Sequence, residues 1–338
     1  MCFTGRENDV IVRIMATVAL PETAEPLVTI GLSPGRIAWR RFKRNRTGVF
    51  CFFVSATFFI IAATAPLISM AYGKNAHERY GYRLLDASGY PPPPTGGMSP
   101  EFWLGIEPGL GRDVFMQLVF GIRTSLAIAL IATVGLMLIG ITVGIAAGYL
   151  GGRTDYWAGR VIDVLLAFPS QLMLIALVPV VDSMLVGPEE ATPTWLRFAT
   201  LCIVLTALGW AGSARILRSQ VLSLREREFV EAAKVSGASP ARIIFREILP
   251  NLWSPIIVLA TWQLPILVGV EAGLGFLGVG LGPDVPDWGR MFLEGVQYYH
   301  LDFPYLLWPG LAMLIFIVCF NLMGDAIRDA LDPKTKGL

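Results

Sequence analysis

Five stretches of this chain run uncharged for close to a membrane's thickness: residues 49–72, 125–150, 198–214, 252–270 and 305–324. A helix needs about 20 mostly apolar residues to cross a hydrocarbon core of roughly 30 Å, so each is a predicted span. A sixth stretch, 161–186, carries Asp163 and Asp182 near its ends and Pro169 and Pro179 inside. Its centre, "VLLAFPSQLMLIALVPVV", is uncharged, and acids near a helix end reach the interface. It is therefore counted as the third of six spans. The pattern predicts an all-α integral membrane protein, with a tail 1–48, a first span 49–72, an outer segment 73–124, a five-helix unit 125–324 and a tail 325–338.

Basic residues set the orientation. With the N-terminus inside, Lys and Arg number eight before the first span, two in "GGRTDYWAGR", seven in 215–251 and three after the last span, leaving seven of the 27 outside. That bias follows the positive-inside rule and places both termini in the cytoplasm. The cluster "WRRFKRNR" at 39–46 reads as a topogenic anchor or a contact for anionic lipid. Membrane lipid is an expected partner, and nucleic acid is not.

The chemistry-bearing residues narrow function by what they do not form. Cys2, Cys51, Cys202 and Cys319 are scattered, and His77 and His300 stand far apart, so no metal or redox spacing arises. There is no G-x-x-x-x-G-K-[ST], H-E-x-x-H, CxxC or G-x-S-x-G stretch. Ser213 has no histidine within the spans to act as its base. A chain that moves solutes would then draw its energy from a partner or an ion gradient. An ion-coupled carrier would bury ionisable groups, and Glu271, after 19 uncharged residues, is the candidate. No internal repeat accompanies it. Glu271 reads as the close of span five or a partner for backbone exposed by "AGLGFLGVGLG", with a coupling-ion role as the alternative. A cleavable signal is not expected, because "VIVRIMATVAL" is short and interrupted by Arg13, and Met15 is an alternative start.

The cytoplasmic connection 215–251 carries a distinct pattern. "REREFVEAAKVS" is rich in helix formers, with Glu231 and Lys234 spaced to pair and Phe229, Ala232, Ala233 and Ser236 along another face. Gly237 suits a helix stop, and Ser239-Pro240 an N-cap and first turn. A second short helix is predicted to end at Pro250-Asn251, where the next span starts. Small residues beside a glycine elbow suit docking in a groove. A solvated amphipathic loop at the membrane surface remains the other reading of the same residues.

"EAAKVSGASPARIIFREILPN" resembles the EAA loop of membrane subunits of ATP-binding-cassette importers. Glu231, Ala232, Ala233, Gly237, Leu249 and Pro250 match that pattern in identity and spacing, and Glu247 stands at its Ile position. Stretches from "WRRFKRNRTGVF" to "GDAIRDALDPK" resemble the second permease of the dipeptide/oligopeptide/nickel group over residues 36–333. The segment "LGIEPGLGRDV" departs by one extra residue and by Ile106 and Glu107, after a polyproline-like insert, "YPPPPTGGMSP".

The resemblance implies a type I importer (MetI-like) fold in a bacterial or archaeal plasma membrane. It implies two permease subunits as a heterodimer, two ATPase subunits holding ATP and Mg, and an extracytoplasmic binding protein. This chain would bind no cofactor and would not be an enzyme. The matching residues would dock on an ATPase, whose closure rocks the spans from inward-open to outward-open. Gln171 and Gln263 are pathway candidates, with helix-to-helix contact as their alternative. Di- or oligopeptides are the expected cargo, and nickel complexes, opines and oligosaccharides are the other group members.

Overall fold

A computed structural model of the chain describes residues 34–186, 192–282 and 284–332. Every regular element in it is helical. A basic helix α1 (Pro34–Arg44) leads into the first long helix, α2 (Arg46–Tyr72), where the Asn45 side chain accepts from Gly48 N at 2.9 Å and so fills one of the open donors of the first turn. Residues 73–113 fold back in turns and a lone antiparallel bridge between Ile106 and Asp113. Asp113 then caps α3 (Val114–Leu150), accepting from Met116 N at 3.0 Å. α4 (Gly152–Ala167) and α5 (Ser170–Val186) follow, then α6 (Thr194–Arg225), α7 (Glu228–Val235) and α8 (Pro240–Ile243). A π turn, Ile244–Ile248, joins α8 to α9 (Leu249–Phe276), and α10 (Trp288–Tyr298) and α11 (Phe303–Leu331) complete the order.

The α3–α6 pair forms the spine of the bundle, because α3 presents glycine every fourth residue where α6 crosses it. A Cβ on Gly144 would lie 2.9 Å from Ala214 O, and one on Gly148 would lie 2.7 Å from Val221 Cβ. Only glycine permits that approach, which substitutes van der Waals contact for the hydrophobic drive that lipid removes. Cys51 and Cys202 are buried, Cys319 is half-buried, and all three are free thiols. Cys2 and the alternative start at Met15 lie outside the described residues.

Among the described residues, five helices are long and apolar enough to cross a membrane: α2, α3, α6, the continuous run Pro240–Phe276, and α11. The third predicted span, 161–186, is corrected. It is two helices, α4 and α5, bent by 91° across Phe168-Pro169, and together they have the length and apolarity of a broken sixth span or of a re-entrant loop. Pro169 lacks an N–H and forces the residue before it out of the helical region, and Phe168 accordingly has ψ 141°.

Helix limits differ from the apolar runs as well. α3 begins at Val114 rather than 125, α6 continues to Arg225 rather than 214, and α11 runs on past 324 to Leu331. An apolar run marks only the part of a helix that sits in hydrocarbon, while good helix formers such as Leu, Arg and Gln carry the coil into the polar flanks. The proline-rich stretch is compact rather than rod-like. Gly97 N bonds to Pro92 O at 3.1 Å, and Gly96 and Gly97 both take positive φ, so the chain doubles back there.

Candidate coupling site

The residues of the predicted coupling segment gather at one end of the bundle, between α6 and α9. Only Glu226 and Arg227 separate α6 from α7, and residues 236–239 separate α7 from α8. Helix α7 is anchored by Val230, which is fully buried in the same core as Ile243 and Ile248, with Ala233 half-buried against that core. Ala233 therefore leaves the face the sequence assigned it with Phe229, Ala232 and Ser236, because its position three residues after Val230 points it inward. Glu231, Ala232, Val235 and Gly237 face outward. Glu231 and Lys234 are both exposed and form no ion pair with each other.

The elbow has the expected geometry. Gly237 sits at φ +78°, its N–H bonds to Lys234 O, and Ala238 N bonds to Ala233 O, each at 3.0 Å, so the last carbonyls of α7 are satisfied. A side chain at 237 would meet nothing within 4 Å, so glycine is needed there for its backbone conformation and not for space. Ser239 then caps α8, accepting from Arg242 N, with Pro240 in the first turn.

The predicted stop at Pro250-Asn251 is corrected. The helix passes through Pro250 into α9, because the π turn shifts the bonding register by one residue and Leu249 N bonds to Ile244 O. Asn251 Nδ2 bonds back to Glu247 O at 2.6 Å. Leu249 is half-buried against the core, and Pro250 is exposed.

Two apolar residues on this surface were not singled out in the sequence. Val235 is 89% exposed, and Phe245, 67% exposed, lines a shallow cavity of about 370 Å³ with Ala241, Arg242 and Arg246. Val235 lies three residues after Ala232 and six after Phe229, a spacing that continues one outward stripe. Behind the site, Arg218 of α6 holds Asp155 of α4 through Nε and through Nη2 at 2.7 Å, and Arg215 pairs with Asp163. These pairs tie the end of α6 to α4 just before α7 begins.

The remaining predicted residues lie elsewhere. Glu271 is 22 residues beyond Leu249 on one helix, about 33 Å away at 1.5 Å per residue. It does not close its span, since α9 continues to Phe276, and its contact is the Ser125 hydroxyl rather than exposed backbone. Asp182, expected at a solvated end, is buried and paired with Arg197. Gln171 is exposed at the start of α5, near Gly273, and Gln263 is half-buried on α9; neither makes a hydrogen bond among the described residues.

At the end opposite the coupling segment, residues 73–113 meet α10 and α11. Glu107 is buried there, with Arg112 on its carboxylate (Nη2 at 2.5 Å) and Gln117 Nε2 at 2.6 Å. Burial pushes the Glu107 carboxyl above its ordinary value, against the opposing pull of the Arg112 hydrogen bond. The glutamate that departs from the family pattern thus organises this cap. Ile106 beside it fills the space left by Gly81.

A bundle of five long apolar helices and one sharply bent pair, presenting a short anchored helix and glycine elbow at one end, is the build of a multi-pass transport subunit. The chain belongs to the family described as binding-protein-dependent transport system inner membrane component, whose model matches residues 140–337. The model for the N-terminal TM domain of oligopeptide transport permease C matches residues 33–86. The chain is 36% identical to the dipeptide transport system permease protein DppC of Alkalihalophilus pseudofirmus, over 93% of this chain and 99% of that one. It is 34% identical to the oligopeptide transport system permease protein OppC of Bacillus subtilis, over 93% and 94%. The nickel transport system permease protein NikC of Escherichia coli is 35% identical over 71% and 82%. An inward-facing structure of the MetNI methionine ABC transporter shares the fold, with a TM-score of 0.52 at 21% identity, covering 64% of this chain and 97% of that one. The protein is accordingly an inner-membrane permease subunit of a binding-protein-dependent importer.

Proposed function

We propose that this chain is one of two permease subunits of an ATP-driven importer of di- or oligopeptides, and that residues 231–237 dock on a cytoplasmic ATPase. The observation that carries the docking reading is the division of α7. Val230 fixes it to the bundle, while Glu231, Ala232, Val235 and Gly237 stand uncovered. Small side chains and one projecting valine leave room for a groove to close on the backbone.

Short links make this helix a lever. Two residues join it to α6 and four join it to the helix that becomes α9, so displacement of α7 by a closing ATPase dimer is passed to two spans at once. ATP and Mg would sit on the partner ATPases, whose energy enters as a difference in affinity for the two bundle states. Both termini and the coupling segment face the cytoplasm in this reading. The binding protein would approach the cap built around Glu107. A peptide cargo is supported by the relatives matched over nine-tenths of the chain; the nickel permease matches a shorter part.

Reconstitution with a second permease, the ATPases and a binding protein tests both parts. Gly237→Asp should leave the chain in the membrane and abolish stimulated ATP turnover, since an aspartate strains the left-handed backbone at φ +78° and puts a charged side chain on the uncovered face. Undiminished turnover and peptide uptake by that variant would defeat the docking reading. Nickel uptake without peptide uptake by the unaltered complex would defeat the cargo assignment alone.

A further inference from the structure

Helix α1 has two unlike faces. Phe42 is buried in the core that holds Ala326 and Ala330 of α11, and Arg41 is half-buried, donating from Nη1 to Asp332 O at 2.8 Å. The joint to α2 is equally close, since a Cβ on Gly48 would collide with that of Ala326. These contacts fix which way the opposite face looks. Arg36, Arg40, Lys43 and Arg44 recur there at spacings of three and four residues, and all four are exposed. Among the described residues, none of their side chains enters an ion pair or a hydrogen bond.

Position decides what this stripe meets. α1 ends one residue before α2, which is long and apolar enough to span, and Phe50 and Phe53 are 65% and 64% exposed in the first turns of α2. Rings so exposed on a spanning helix face hydrocarbon. From Arg46 to Phe50 the chain rises about 6 Å, close to the depth of one headgroup layer. Trp39, 55% exposed, stands beside the charged stripe, stacked on Phe42 and with Lys43 Nζ 5.0 Å from its ring centre. An indole favours that interfacial level, and a basic helix lying there is drawn to anionic lipid. A protein partner would have to reach the headgroup plane and supply acids at four points, whereas an anionic leaflet offers phosphates at each of them.

We propose that the outer face of α1 is a docking surface for anionic phospholipid, with Arg36, Arg40, Lys43 and Arg44 holding headgroup phosphates and Trp39 seated at the head of the acyl chains. The stripe then keeps a role after insertion, beyond setting topology. Arg41 and Phe42 hold α1 against α11, so the preference for anionic lipid is built into the folded bundle. This inference needs only α2 as a membrane span; it is independent of the docking of α7 and of the cargo.

The full-length chain is placed in phosphatidylcholine nanodiscs in which a minor fraction of the lipid carries bromine near the headgroup end of one acyl chain. The brominated lipid is either phosphatidylglycerol or phosphatidylcholine, and both leaflets are alike, so orientation does not enter. Bromine quenches nearby indoles, and the Trp39 signal is the difference between wild type and Trp39→Phe. Brominated phosphatidylglycerol should quench Trp39 at least about threefold more strongly than brominated phosphatidylcholine. In about 1 M salt, where charges are screened within about 3 Å, the two should become equal. Arg36→Gln, Arg40→Gln, Lys43→Gln and Arg44→Gln combined should remove the preference at low salt too, and exposed positions of this kind tolerate exchange. Should Trp39→Phe fail to fold, spin-labelled forms of the two lipids replace the brominated ones, and wild type should immobilise phosphatidylglycerol preferentially. Equal behaviour of the two lipids at low salt around a monodisperse, cooperatively melting wild type, or a preference that survives neutralisation, would overturn the proposal and leave the stripe a topogenic signal or a contact for another protein.

Discussion

The backbone N–H of Leu249 bonds to the carbonyl of Ile244, five residues back, and this single shift in register lets one helix run from Pro240 through Pro250 into the membrane. In a regular α-helix, residue 250 would have to donate to the carbonyl of residue 246, and proline has no donor. The π turn absorbs that defect directly beneath the elbow. Glu247, at the family pattern's Ile position, lies within the turn, and its side chain makes no ion pair there. Glu247→Ile should therefore change thermal stability by under about 1 kcal/mol and preserve ATPase stimulation. Deleting Phe245 should do the opposite. Removing one residue closes the π turn into regular α-helix and sets the proline against the carbonyl four residues back, so the chain should insert normally but lose the support of the elbow and with it stimulation. Expression, melting temperature and ATP turnover separate the two.

Val230 and Val235 are five residues apart on one short helix and should respond differently. Val230→Ala removes two buried methyl groups and should cost about 1–2 kcal/mol, visible as a lower melting temperature of the isolated chain. Val235→Ala removes exposed atoms and should change stability by less than about 0.5 kcal/mol. Under the docking reading, Val235→Ala should still weaken ATPase association in a pull-down. Equal stability losses in both would show that α7 is not divided into anchor and dock.

The glycine spine gives a packing test. With Ala214 O only 2.9 Å from the position of a Cβ on Gly144, and with backbone rather than a pliant side chain as the neighbour, alanine there must push α3 and α6 apart. Gly144→Ala should destabilise the bundle by about 1–3 kcal/mol, measured by thermal or denaturant unfolding in detergent. Gly212→Ala, with nothing within 4 Å, is the control and should be near neutral.

Asp287 makes stability depend on pH. Burial pushes its carboxyl up to about 6 from 3.8, with the hydrogen bond from Arg290 N opposing. Glu271 from α9 and Arg290 and Glu294 from α10 are the charged groups that face it. A raised carboxyl means the folded state holds its proton more tightly, so the stabilisation is complete below about pH 4 and is lost as pH rises through about 6. Wild type should therefore melt progressively lower than Asp287→Asn between pH 4 and pH 7. Parallel melting curves for the two proteins across that range would contradict the assignment.

Much of this architecture could be read from the chain before folding it. Uncharged runs located all five long helices, and the Glu-Ala-Ala stretch with Gly237 located the elbow and its cap at Ser239. The remainder depends on contacts between distant residues. The 91° bend at Phe168-Pro169 was marked by its proline, but the direction of α5 is set by packing on α6. Neither Val230 nor Val235 could be sorted into anchor and dock, because eight residues of helix do not say which side meets the bundle. Asp182 looked like an interfacial acid until α6 placed Arg197 beside it.

That last pair gives a decisive experiment. Arg197 Nη1 bonds to Asp182, and its Nε donates to Gly280 O at 2.9 Å, so one guanidinium ties α5 and the glycine turn to α6. Asp182 is buried, and its second oxygen already lacks a partner. Arg197→Ala would strand a buried carboxylate, and losses of about 3–5 kcal/mol accompany such breakage. Asp182→Asn with Arg197→Gln removes both charges and keeps hydrogen-bonding groups in place, so the double variant should unfold later than Arg197→Ala. A double variant no more stable than the single would mean that the tie to Gly280, and not the ion pair, holds this corner together.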